Sequence, residues 1–170
     1  MRPTKAVPAA ELMPVVTAAL GRGQHVRMAV YGGSMLPFML PGDEAELAPI
    51  RGDVEVGQIC LVRGRDDCYL LHRVVRTAPG RVWTQGDALA TGEGPFHPGQ
   101  VLARVVMVRR RGRAWSPERR STRMLHALWR PVQPVAARWL RLMWAWRRQT
   151  LGGRRAHAAG GSGAASADQS

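Results

Sequence analysis

Between residues 26 and 108 the chain is rich in valine, and Gly, Pro or Asp breaks the apolar runs every few residues. That punctuation sets the fold class. Runs this short, bounded by turn formers, predict short strands near 26–31, 44–48, 57–63, 68–76, 81–85 and 101–109. Alternation of strands and turns without intervening helices predicts a mainly β fold, antiparallel and partly closed. Two helical zones flank it. "PAAELMPVVTAALGRG" (8–23) reads as a short helix ended by Gly21 or Gly23. Residues 119–149 read as helix interrupted by Pro131 and Pro134. The expected organisation is an N-terminal helical segment (1–25), a β-domain (26–110), a basic Trp-rich helical tail (111–155) and a Gly/Ala/Ser-rich end (156–170) expected to be disordered.

Charge separates these parts. Residues 1–103 carry ten Lys/Arg and ten Asp/Glu, whereas 104–155 carry fifteen Arg against Glu118 alone. A neutral domain with a basic tail calls for an anionic partner: lipid headgroups, nucleic acid or an acidic protein. In the tail, Leu125, Leu128, Trp129, Val132, Val135, Ala136, Trp139, Leu140, Met143 and Trp146 recur at helical spacing among arginines. Such a helix suits an anionic membrane interface, or packs against the β-domain with its arginines in water. Nucleic acid is the third choice, because no base-reading module is recognisable.

No stretch reaches the roughly 18 apolar residues of a membrane span, and "LMPVVTAAL" is too short and follows Glu11, so it does not read as the uninterrupted apolar core of a signal peptide. The expected location is cytoplasmic and peripheral at the membrane. A turn at "GRDD" (64–67) would set Arg63 opposite Cys68 and Cys60 opposite Leu71, sending the two cysteines to opposite sides of the sheet. Two buried free thiols are therefore expected rather than a disulfide. Neither a metal nor another cofactor is expected: ligand spacings and phosphate-cradling loops are both missing from the sequence.

The chemistry centres on "YGGSMLPFMLPGD" (31–43). Ser34 is either a turn residue or a nucleophile, and a nucleophile needs a base. Of the five histidines, only His72, in "CYLLHRVVR", lies within an expected strand. A turn at "TAPG" (77–80) pairs Arg76 with Arg81 and His72 with Gln85, which brings Asp87 to the same face by a diagonal step. A carboxylate there would orient the imidazole, and a one-residue slip would undo the arrangement.

"GGSMLP", Gly42-Asp43, "LHRVV" (71–75) and "QGDA" (85–88) together resemble, in order, the S26 signal peptidases of the S24/S26 serine peptidase family, in their serine–histidine branch. The similarity runs over residues 26–108. It implies a signal-peptidase-like β-fold and a serine endopeptidase that cuts a peptide or preprotein bound as an added strand. It implies Ser34 as nucleophile, His72 as general base and Asp87 as the orienting acid. Glu93 stands at the place of a second acid, a glutamate where aspartate is usual. The family's membrane anchor before the serine is missing from this chain, and Gly32 stands where many relatives carry a hydroxyl that assists the oxyanion. These departures support an alternative, a catalytically inactive peptide-binding or scaffold module of the same fold. A self-cleaving repressor of the S24 type is disfavoured. That chemistry uses lysine, the chain's single lysine is Lys5, and the residues before the β-domain are too few for a DNA-binding domain.

Overall fold

The computed structural model describes residues 9–65 and 68–129, with isolated positions at 131, 135 and 139. Helix α1 spans Ala9–Gly21. Eight strands follow among the described residues: β1 (Val26–Ala29), β2 (Glu44–Pro49), β3 (Ile59–Arg63), β4 (Tyr69–Ala78), β5 (Arg81–Gln85), β6 (Glu93–Phe96), β7 (Val101–Arg110) and β8 (Arg113–Trp115). Helix α2 spans Arg120–Trp129. The expected tail helix beyond Trp129, with its Pro134 break, and the 156–170 end lie outside the described residues, apart from the isolated positions.

The strands form one antiparallel sheet in the order β1-β2-β7-β3-β4-β5-β6, with β8 added on β7. Its hydrogen-bonded order is open, so the expected partial closure is not made by strand pairing. β6 and β8 were not legible as strands. β6 is only Glu-Gly-Pro-Phe, and β8 is three residues paired through an Arg111-Gly112 turn. Arg111 (φ 48) and Gly112 (φ 81) supply the left-handed backbone that a tight hairpin demands.

Alternating strand residues build two cores, one on each face. The larger joins Leu47, Ile59, Leu61, Ala103, Val105 and Val108 to Met13, Val16 and Leu20 of α1, and to Met35 and Met39. The smaller joins Cys60, Val62, Val74, Val82, Phe96 and Val101. Helix α1 therefore caps the face on which the 31–41 loop also packs.

Two hairpin registers differ from expectation by a residue or more, and both differences matter. Around 64–68 the pairing is Arg63 with Tyr69, so Cys60 lies opposite His72 rather than Leu71. Both thiols are free. Cys60 is buried as expected, but Cys68 falls outside the paired strand and is exposed. Around 79–80 the turn is the two residues Pro79-Gly80, with Ala78 paired to Arg81 and a bulge between Val74 and Arg76. The tighter turn and the bulge together set Arg73, not His72, opposite Gln85. A one-residue shift exchanges the faces of every side chain it moves.

Leu47 is wholly buried where β2 meets β7. Leu47→Ala should lower the unfolding free energy by about 2–5 kcal/mol. Val15→Ala, at a position 66% exposed on α1, should change it by less than about 0.5 kcal/mol. Urea denaturation of the two variants checks this, and equal midpoints would contradict the core assignment.

Candidate active site

The Ser34 loop is held at its neck and from beneath. Val30 N–H donates to Asp43 O (2.8 Å) and Gly42 N–H to Val30 O (2.9 Å), closing residues 31–41 into a compact loop. Met35, Leu36 and Met39 are buried and plug it into the core. Asp43 anchors its far end. Its carboxylate accepts the Leu40 N–H (2.8 Å) and two bonds from Arg110 on β7, both 2.7 Å. Arg110 also reaches Phe38 O (3.2 Å). Gly42-Asp43 is thus the turn element expected, with a partly buried ion pair added. The contact with Asp43 raises the Arg110 pKa further above its usual range.

Ser34 is half-buried, and its carbonyl accepts the Ala88 N–H at 2.8 Å. This bond lays the serine loop on the 86–89 turn, which closes through Leu89 N–H to Gly86 O (2.9 Å). Gly86 is required there: a Cβ at this position would lie 2.6 Å from Ser34 O. Neither the Ser34 N–H nor its hydroxyl makes a hydrogen bond within the described residues. A developing oxyanion could therefore take the N–H.

Ser34 and His72 line the same groove, about 480 Å³ in volume. On one side it is bounded by Met28–Tyr31, on the other by Tyr69–His72. β5 stops at Gln85 opposite Arg73, so, among the described residues, positions 69–72 have a sheet neighbour, β3, on one edge only. Val74 exchanges its backbone bonds with the 57–58 segment on the β3 side. By alternation, the N–H and C=O of Leu71 and Tyr69 point the other way, toward the open edge.

His72 is buried, and its Nδ1 finds no hydrogen-bond partner within the described residues. Burial lowers its pKa below the ordinary 6.5; the charges of Glu93 and then Asp87 oppose that shift. The shift favours the neutral ring, the form a base requires. It is not hydrogen-bonded to Ser34 in this state. Glu93 lies exposed at the start of β6 and acts on His72 through its charge rather than by contact. Cys60, across the strand from His72, has its pKa pushed up to about 12, chiefly by burial, and is inert as a nucleophile.

The expected His72–Asp87 hydrogen bond is not formed. Both Asp87 oxygens accept from Arg73: Nε to Oδ1 at 2.9 Å and Nη2 to Oδ2 at 2.8 Å, with both side chains 1% exposed. The register difference explains the exchange, since the diagonal step from Gln85 to Asp87 now faces Arg73. Arg73 also donates to Gly57 O (2.9 Å) and lies 5.4 Å from the centre of the Phe38 ring. Trp129, at the end of α2, completes this box. Its Nε1–H donates to Asp87 O (3.1 Å), and its ring meets Phe38 edge-on at 6.1 Å. Sequence reasoning missed Arg73 and Trp129. Arg73 was legible as a lone basic residue among valines. Nothing local to Trp129 marks it.

Among the described residues no three His, Cys, Asp or Glu side chains gather as metal ligands. No helix among them is long and apolar enough to cross a membrane. Comparison with protein-family models, with curated proteins and with solved structures finds no match.

Removing one member of a buried ion pair strands the other charge, at a cost of about 3–5 kcal/mol, whereas replacing both by apolar groups is often neutral. Asp87→Leu should destabilise the fold by that amount. Arg73→Met combined with Asp87→Leu should recover most of it. A double-mutant cycle by thermal or urea unfolding reads the coupling, and simple additivity of the two losses would refute the pairing.

Proposed function

We propose that the protein is a serine endopeptidase of signal-peptidase type, with Ser34 as nucleophile and His72 as general base, acting on a peptide or preprotein. One observation carries the reading: Ser34 and the neutral, buried His72 line a single groove that runs beside an unpaired strand edge. A peptide laid in the groove would hydrogen-bond to the free backbone groups of Tyr69 and Leu71 as an added strand. The mostly apolar lining, with Met28, Val30, Leu70 and Leu71, would receive its alternate side chains.

In the proposed reaction Ser34 Oγ attacks the scissile carbonyl as a ring nitrogen of His72 takes its proton. The oxyanion is met by the Ser34 N–H. The imidazolium then protonates the leaving amine, and water, deprotonated in turn by His72, releases the acyl group and restores Ser34. Cys60 and His72 are paired and share the smaller-core face, whereas the Ser34 loop packs on the other face, so the ring must swing past the open edge of β4 to reach Ser34 when substrate binds. Asp87 and Glu93 act on His72 by favouring the imidazolium through space, and Asp87 also holds the turn beneath Ser34.

The unformed Ser34–His72 bond and the engagement of Asp87 by Arg73 favour a second reading, a peptide-binding module without catalysis. A serine-directed acylating probe separates the two. The peptidase is labelled at Ser34, and the binding module is not.

Ser34→Ala should abolish cleavage and leave the melting temperature unchanged, because the hydroxyl makes no bond in the fold. His72→Gln should lower kcat by about 10²–10⁴. A Ser34→Ala protein that cleaves at the wild-type rate would refute the mechanism.

The pH dependence follows from the sign of the His72 shift. The active form is the unprotonated ring, and its pKa is lowered from 6.5, so the acid limb of kcat/KM should be centred below that value. Glu93→Gln removes a charge that raises the pKa, and should move the limb further toward acid. Stability shares the sign: the contribution of the neutral buried ring is complete above pH 6.5 and is lost as pH falls through its folded pKa. An acid limb above 6.5, or one unmoved by Glu93→Gln, would remove His72 as the base.

A further inference from the structure

Helix α2 is fixed to the domain on one side only. Thr122 Oγ1 donates to Ser116 O (3.1 Å), and Trp129 binds Asp87 O and Phe38. Thr122 and Trp129 are seven residues apart and so share a face. Met124 and Leu128 fall on the far side of the helix and Leu125 on the flank between them and Trp129; they are 68%, 71% and 58% exposed. Further along, Val135 and Trp139 are 68% and 67% exposed. Large apolar side chains gathered on one stripe, with polar residues beside them, mark a surface that meets a partner.

Charge selects the partner. The stripe sits in a stretch of the sequence with fifteen arginines and a single acid. That acid, Glu118, is already bound to Arg104 at 3.0 Å. Nucleic acid or an acidic peptide would match the arginines but leave Met124, Leu125 and Leu128 in water. A bilayer with anionic headgroups satisfies both, taking the apolar stripe into the acyl boundary and the arginines at the phosphates. We propose that α2 is a docking surface for an anionic lipid bilayer, with Met124, Leu125 and Leu128 inserted and Trp129 holding the β-domain to the helix. The surface does not depend on the peptidase chemistry.

The test is co-sedimentation of the full-length chain with phosphatidylcholine vesicles, with and without phosphatidylglycerol, at low and high salt. The wild-type protein should pellet with the anionic vesicles, stay largely in the supernatant with the neutral ones, and bind more weakly as salt rises. A full-length Met124→Ser, Leu125→Ser, Leu128→Ser variant keeps every charge, and should bind at least about tenfold more weakly while melting at the wild-type temperature. Ser34→Ala should bind like wild type whether or not the protein cleaves anything, so failure of the peptidase reading leaves this result standing. Three outcomes overturn the proposal. The first is wild-type protein left in the supernatant with anionic vesicles at low salt. The second is a triple variant that binds as tightly as wild type, which would mean attraction to any polyanion, nucleic acid included. The third is a triple variant that unfolds, which would mean the stripe packs within the protein.

Discussion

The buried pair of Arg73 and Asp87 is the constraint on which the candidate site depends. Two charges taken out of water are tolerable only if their hydrogen bonds are nearly complete. Here Arg73 gives two bonds to Asp87, gives one to Gly57 O and lies against the Phe38 ring. Each of those partners belongs to a different piece of chain. Arg73 is on β4, Asp87 in the turn after β5, Gly57 before β3, and Phe38 in the serine loop. The cost of leaving either charge unpaired therefore fixes the relative positions of all four. The Ala88 N–H that holds Ser34 O is one residue from the carboxylate. Such a pair contributes more to the uniqueness of the arrangement than to net stability.

How much of this was legible in the sequence follows the same line. The mainly β class, α1, and six of the eight strands were readable from valine runs and turn formers, because local pattern decides them. Placing Ser34 and His72 beside one groove was reachable through motif order. Partnership within the site was not. The hairpin after β4 turns on Pro79-Gly80 and absorbs a bulge near Val75, and neither the turn length nor the bulge is encoded in alternation. A four-residue turn at 77–80 obeys the same residue preferences. The choice between the two is made by burial: the observed register puts Arg73 beside Asp87, where each charge satisfies the other. Trp129 was unreadable for a related reason. Its partner is a backbone carbonyl 42 residues away, and a carbonyl leaves no signature in sequence.

The exchange of partners also changes what the site must do. With Asp87 committed to Arg73, the imidazole of His72 is oriented by packing rather than by a carboxylate. Its neighbours are the Cys60 side across β3 and the apolar side chains of the smaller core. A dry surrounding keeps the ring neutral, which favours the base form. The same surrounding disfavours the imidazolium that proton transfer would create. The charges of Glu93 and Asp87 offset part of that penalty without touching the ring. In the proposed mechanism, a base kept neutral by burial and assisted at a distance would depend on substrate to exclude water and bring Ser34 close.

The division of charge bears on how the tail can be held. The first 103 residues balance their charges. Among the described residues, the acids of that part that hold arginines of the 104–155 stretch do so on the sheet, Arg109 with Glu44 and Glu46 and Arg110 with Asp43, rather than on α2. The contacts that fix α2 reflect this. They are an indole N–H on a carbonyl, an aromatic edge on Phe38 and a threonine hydroxyl on Ser116 O. Neutral contacts of this kind are insensitive to salt. Self-repulsion among arginines clustered in sequence is relieved by an external anion. Trp129 then has a double position. It is the residue through which the basic helix touches the fold, and the carbonyl it binds belongs to the turn that supports Ser34. An anionic surface that engages α2 would thus bear directly on the turn beneath Ser34.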